Sequence, residues 1–218
     1  MLPRSNIPLQ LPSGNIQQFC MMKDREITEQ KILDAVGSMI MADGFESLGI
    51  NAVAQKAGVS KMLIYRYFGG MDQLIAKYIL QHDYWVNTEL PLHDISGVGA
   101  CLKQMFREQI ATLRSNMVLK RLHRWELTAD NEVVRLLRER RETNGCELVR
   151  VVSRLTKSPY AEVAAMATLL SAAISYLTLI EEQNKVYNGI DLCSDEGWQQ
   201  LATGIDQIID LWVKNKQQ

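Results

Sequence analysis

Between Thr28 and Met41 the apolar positions Ile32, Ala35, Val36, Met39 and Ile40 recur at i, i+3, i+4, i+7 and i+8, which predicts an amphipathic helix. Thr28 is placed to cap its start, and Asp43-Gly44 to stop it. Two short apolar runs follow over INAVAQKAG and SKMLIYRYF, and a further helix over 71–85 follows Gly69-Gly70 with Leu74, Ile75, Tyr78 and Ile79 on its apolar side. Beyond it the pattern predicts helices over 98–115, 117–127, 131–156, 160–187 and 195–214. The breaks fall at Pro91, Ser96-Gly97, Asp130, Ser158-Pro159 and Asn188-Gly189. No stretch reads as a strand, so the expected class is all-α.

The segment from Ile50 to Phe68, INAVAQKAGVSKMLIYRYF, has the spacing of a helix-turn-helix. Ala54 is the small residue where two helices cross closely, Gly58 the turn, and Val59 and Ile64 the buried plugs. A left-handed turn suits glycine because it lacks the Cβ that makes that conformation costly. Ser60 is placed to cap the second helix through its hydroxyl, leaving Lys61 and Met62 in an exposed first turn. The competing reading of these residues alone is a helical hairpin within a larger all-α protein. A helix before the pair and another after it favour the DNA-binding arrangement.

The last two helices carry sustained apolar surface. Residues 163–180 carry no charge and just reach the length at which a membrane span is considered. Thr168, Ser171, Ser175, Tyr176 and Thr178 dilute that stretch, no Lys or Arg flanks it, and a helix buried in protein is expected instead of a membrane contact. Trp198, Leu201, Ala202, Ile205, Ile208, Ile209 and Trp212 form the apolar stripe of the final helix.

Composition adds boundaries. The chain has 218 residues, 24 basic against 25 acidic, and 47% hydrophobic positions, enough for a core in one or two domains. Between Lys23 and Lys77 seven basic residues balance seven acidic ones, so DNA affinity must come from the placement of Lys61, Arg66, Lys56, Lys23 and Arg25 rather than from a basic field. Cys20, Cys101, Cys146 and Cys193 are far apart and form no C-x-x-C pair, which suggests neither a disulfide framework nor a metal site and fits a cytoplasmic protein. Residues 1–24, with Pro3, Pro8 and Pro12, read as a disordered arm without the pattern of a signal peptide. No phosphate-binding glycine loop, H-E-x-x-H or nucleophile signature argues for an enzyme, and neither cofactor nor catalytic residue is expected.

The run ILDAVGSMIMADGFESLGINAVAQKAGVSKMLIYRYFGGMDQL resembles the TetR family of bacterial transcriptional regulators, in the order helix, GF turn, helix, AGVS turn, and helix closing in Y-x-Y-F. The resemblance implies a three-helix DNA-binding domain over 25–72 and a helical effector-binding and dimerisation domain over 73–218. It implies that Lys61, Met62 and Arg66 face base edges, that Tyr65 and Tyr67 face phosphates, and that Ser60 positions the helix on double-stranded DNA. Two departures stand out: Leu48-Gly49 replaces the usual hydroxyl cap before the first helix of the motif, and Gly70-Met71 replaces a small polar residue and lysine after the Y-x-Y-F.

The resemblance also implies a homodimer joined by the last two helices, here through Ala167, Leu170, Ser171, Ile174, Leu201, Ile205, Ile208 and Trp212. An intrachain bundle is the alternative. A small apolar or amphipathic effector is expected among the middle helices, with His82, Trp85, Met105, Phe106, His123, Trp125 and Tyr176 as candidate lining residues. Taken singly, each reads more readily as plain core or surface. The function expected is a ligand-responsive regulator, most simply a repressor released from a palindromic operator by a small molecule. The rivals are a protein-binding adaptor and a ligand-independent regulator on the same fold.

Overall fold

The stripe predicted over 28–41 is the buried face of α1 (Ser13–Asp43), where Ile32, Leu33, Ala35, Val36 and Ile40 are all enclosed. The protein is described from a computed structural model covering residues 13–87 and 97–216, with side chains for 23–87 and 97–215. The helix begins well before Thr28, so residues 13–24, read from sequence as part of a disordered arm, form its first turns; residues 1–12 lie outside the described residues. Thr28 is therefore not a cap. Its hydroxyl donates instead to the Asp24 carbonyl one turn back, at 2.7 Å, as a mid-helix threonine can.

A single 3-10 turn, Phe45–Ser47, leads to α2 (Ile50–Ala57), α3 (Lys61–Phe68) and α4 (Met71–His82). Gly58 ends α2 in the left-handed region at φ 63°, ψ 39°, as its position in the motif requires. Gly37 was not singled out by pattern. A Cβ there would lie 2.7 Å from the Tyr78 hydroxyl oxygen, so the absent side chain lets α1 and α4 approach.

The helix expected over 71–85 is broken at Asp83, which ends α4 in extended conformation before the short α5 (Tyr84–Asn87). Then come α6 (Val98–Ser115), α7 (Met117–Thr128), α8 (Glu132–Thr156), α9 (Tyr160–Ile180) and α10 (Asp195–Lys216). Asn116 and Asn131 cap α7 and α8 through their side-chain oxygens, which accept from the amides of Leu119 and Val134.

The all-α class holds with one departure: β1 (Val186–Tyr187) pairs antiparallel with β2 (Ile190–Asp191) where helix was expected to run on to 187. Asn188 and Gly189 both have positive φ, 50° and 81°, the requirement of the tightest hairpin turn. The same Asn-Gly pair was legible only as a break.

One continuous buried cluster runs from Ile32 to Ile209, so the two expected domains share a core rather than owning one each. Helix α10 packs along α6, with Lys103 and Arg107 paired to Asp210 and Asp206. Helix α8 packs on α4, α5 and α9.

Candidate nucleic-acid interface and effector cavity

Lys61, Met62, Tyr65 and Arg66 are exposed along one side of α3, while Ile64 and Phe68 anchor its other side in the core. That division follows from helical spacing, since i and i+3 or i+4 share a face. Met62 keeps 67% of its surface, unusual for methionine and a sign that the helix presents rather than buries it. Tyr67 is half-buried, with the Arg25 guanidinium 5.2 Å and the Arg66 guanidinium 5.9 Å from its ring centroid. These cations stand over the electron-rich face and fix the ring beside α1.

Ser60 is at the N-cap of α3 with extended geometry, but its hydroxyl makes no capping bond; only its carbonyl engages, accepting from Leu63 N at 3.0 Å. The expected side-chain cap is thus corrected. An exposed hydroxyl at the first turn of α3 is left able to reach an anion. Glu29 of α1 joins the module together, accepting from Arg25 and from Lys77 at 2.7 Å each. Burial works against its charge, yet Lys77 and Arg25 hold the carboxyl below the usual carboxylate range.

Residues 32–78 match the family model of bacterial regulatory proteins of the tetR family. The chain carries a TetR-family DNA-binding domain. No curated protein matches. Among solved structures, a TetR family transcription regulator from Marinobacter aquaeolei shares 17% identity over 87% of this chain and 97% of its own, with a TM-score of 0.59. A TetR-like transcriptional regulator from a Rhodococcus species shares 19% identity over 83% and 93%, with a TM-score of 0.52. At these identities the likeness establishes a common fold, extending the TetR-like architecture beyond the matched domain.

Beyond the matched domain, α6, α7, α8 and α9 line a cavity of 490 Å³. Trp85, Met105, Phe106 and His123 line it, as expected from sequence. Three other candidates do not. Trp125 leaves the cavity and stacks on Phe45, rings 4.6 Å apart and 11° from parallel. His82 stacks on Tyr78 at 4.3 Å and turns its Nδ1 to the Tyr78 carbonyl at 2.8 Å. Tyr176 is 53% exposed and meets Tyr187 of the hairpin edge-on. Helical phase decides Trp125 and Tyr176, which point away from the sides of α7 and α9 that face the cavity, whereas His82 is on α4, which contributes no lining residue.

Sequence reading missed the charged end of the cavity. Arg141 of α8 points inward, donating to both carboxylate oxygens of Asp83 and to Glu126 of α7 at 2.5–3.2 Å. The Asp83 side chain is fully enclosed. Burial disfavours the guanidinium charge, but Asp83 and Glu126 more than offset it and raise its pKa. His123 lies beside this group, and burial, then Arg141, push it down to about 4, so it is neutral at physiological pH.

The expected dimer residues divide. Leu170 and Ile174 are buried within the chain, while Ala167 and Ser171 line the cavity. Trp212 donates to Glu162 at 2.8 Å and packs against the core, as do Leu201 and Ile205. Of the eight, Ile208 alone is exposed. Leu170, Ile174, Leu201, Ile205 and Ile208 line a groove between α9 and α10, and Leu169 (71% exposed), Tyr176 and Leu211 (64%) are further exposed apolar side chains on the same two helices. Helix α9 is long and apolar enough to cross a membrane, yet it serves the core, the cavity and this outward face at once.

Proposed function

We propose that the chain is a ligand-responsive transcriptional regulator, a repressor that binds a palindromic operator as a homodimer and leaves it when a small molecule fills the cavity. Residues 25–72 are the DNA-binding part and 73–218 the effector and dimerisation part. In this reading Arg66 donates a bidentate pair to guanine O6 and N7, Lys61 and Met62 approach neighbouring base edges, and Ser60, Tyr65 and Tyr67 bind phosphates. The observation that carries the proposal is the position of the cavity, whose wall residue Arg141 bridges Glu126, also on the wall, and Asp83 at the end of α4. Helix α4 begins directly after α3, so a ligand that moves Arg141 or Glu126 acts on the segment that orients the DNA-binding helix.

Dimerisation is assigned to the α9–α10 side, at the groove lined by Leu170, Ile174, Leu201, Ile205 and Ile208, with the exposed Leu169, Tyr176 and Leu211 on the same two helices. An apolar groove between two long helices favours an isologous four-helix contact, in which the same patch serves both copies. Two α3 helices related by such a twofold axis suit half-sites about one helical turn apart.

Selection of bound duplexes from a random pool tests this directly. An enriched palindrome is expected, and enrichment of no sequence, or of a single unrepeated half-site, would overturn it. Soluble assembly in the cytoplasm follows from the same reading and is checked by fractionation.

A further inference from the structure

The cavity of 490 Å³ is within the range for a small-molecule site, and its charged wall groups are one guanidinium, Arg141, and two carboxylates, Glu126 and Glu142. Arg141 is the cation on its wall, and all three of its nitrogens are already engaged by Asp83 and Glu126. Glu126 keeps its other oxygen turned to Arg138 at 3.4 Å, a long contact to a half-exposed side chain. Glu142, also on the wall, accepts a weak bond from the Cys146 thiol and has no cationic partner among the described residues. Where Ser171 and Ser175 line the cavity, Gln109 lies fully buried behind them with its carbonyl oxygen unpaired and its amide nitrogen 3.5 Å from both residues. The rest is apolar, with Leu102, Met105, Phe106, Val149, Val152 and Val163 surrounding the space.

We infer that the ligand is a cationic amphiphile, an alkyl or aryl amine whose ammonium sits between Glu126 and Glu142 and whose apolar body lies against Met105, Phe106 and Val163. This rests on the reading of the cavity as an effector site and specifies its chemistry. An ammonium supplies three donors and a positive charge where two carboxylates face the space, and it leaves the Asp83–Arg141 pair intact. A carboxylate head would have to take Arg141 from Asp83 or Glu126 and leave an enclosed anion without its counter-ion, the most unfavourable arrangement for a buried pair. A neutral alcohol has a donor but no charge, and ranks between the two.

Calorimetry on the full chain with decylamine, decanol and decanoate, each below its micellar concentration, tests the inference. Decylamine is expected to bind about tenfold or more tightly than decanoate, a difference of about 1.4 kcal/mol. Glu142→Gln, at an exposed site that leaves folding intact, should narrow that preference, and Glu126→Gln should narrow it further in protein shown by thermal melting to be folded. Equal or tighter binding of decanoate overturns the cationic assignment while leaving the cavity a ligand site. A decylamine preference unchanged in both variants also overturns it, because the charge would then be read elsewhere. If none of the three binds, the effector reading of the cavity fails, and the inference with it.

Discussion

Trp125 of α7 stacks on Phe45 of the 3-10 turn, with ring centroids 4.6 Å apart. The contact joins the DNA-binding domain to a helix whose other face, at His123, Glu126 and Leu127, lines the cavity. One turn earlier Arg121 donates to the Ile40 carbonyl near the end of α1, at 2.8 Å. The two contacts dock α7 onto α1 and give the domain a second connection to the cavity beside α4.

Trp125→Ala should therefore uncouple rather than block. Removing the ring costs about 3–5 kcal/mol, part of it the stacking with Phe45. Ligand affinity should stay near that of the parent, because Trp125 lies outside the cavity, while ligand-induced loss of DNA binding weakens. Calorimetry beside a DNA titration separates these. Lost ligand affinity in folded protein would contradict the placement.

Arg66→Ala should lose about 1–3 kcal/mol of operator affinity and relax one base position, since its guanidinium is exposed on α3 and suited to a guanine edge. Tyr65→Phe should weaken specific and random duplexes alike. Titrations against operator and single-base variants decide it; equal loss for Arg66→Ala on all duplexes would reassign it to phosphate.

Leu169→Glu should give folded monomers in sedimentation, because its side chain is outward and its loss leaves no cavity in the chain. Leu170→Glu, one residue on, should instead unfold the protein by burying a charge in the core. A folded dimer from Leu169→Glu would move the interface elsewhere.

Acid should destabilise the fold through His123. Its folded pKa of about 4 is below the 6.5 of an unperturbed histidine, so the unfolded chain takes up the proton first. The stabilisation is complete above pH 6.5, declines as pH falls, and is gone below about 4, a change on the order of 3 kcal/mol. Melting temperatures of His123→Gln should fall less steeply than those of the parent across that window. Parallel slopes would show that the imidazole is not neutral in the folded state.

Local chemistry was legible in the sequence wherever one segment carried it. The turn at Gly58, the buried Ile64 and Phe68, and the exposed Lys61, Met62, Tyr65 and Arg66 follow from spacing along a single short helix, because a period of 3.6 assigns each side chain to a face and the core claims one face. The start of α1 was misread because prolines near the terminus obscured a helix that begins at Ser13. What tertiary structure alone decided lies between segments. Apolarity distinguishes neither Leu169 from Leu170 nor the cavity at Ala167 and Ser171 from a dimer seam, since α9 is apolar on every side and only its neighbours α6, α8 and α10 determine which face is covered. Arg141 sits in a run of arginines that differ in nothing but direction, and it turns inward because Asp83, 58 residues away, ends α4 opposite it with an enclosed carboxylate that requires a counter-charge.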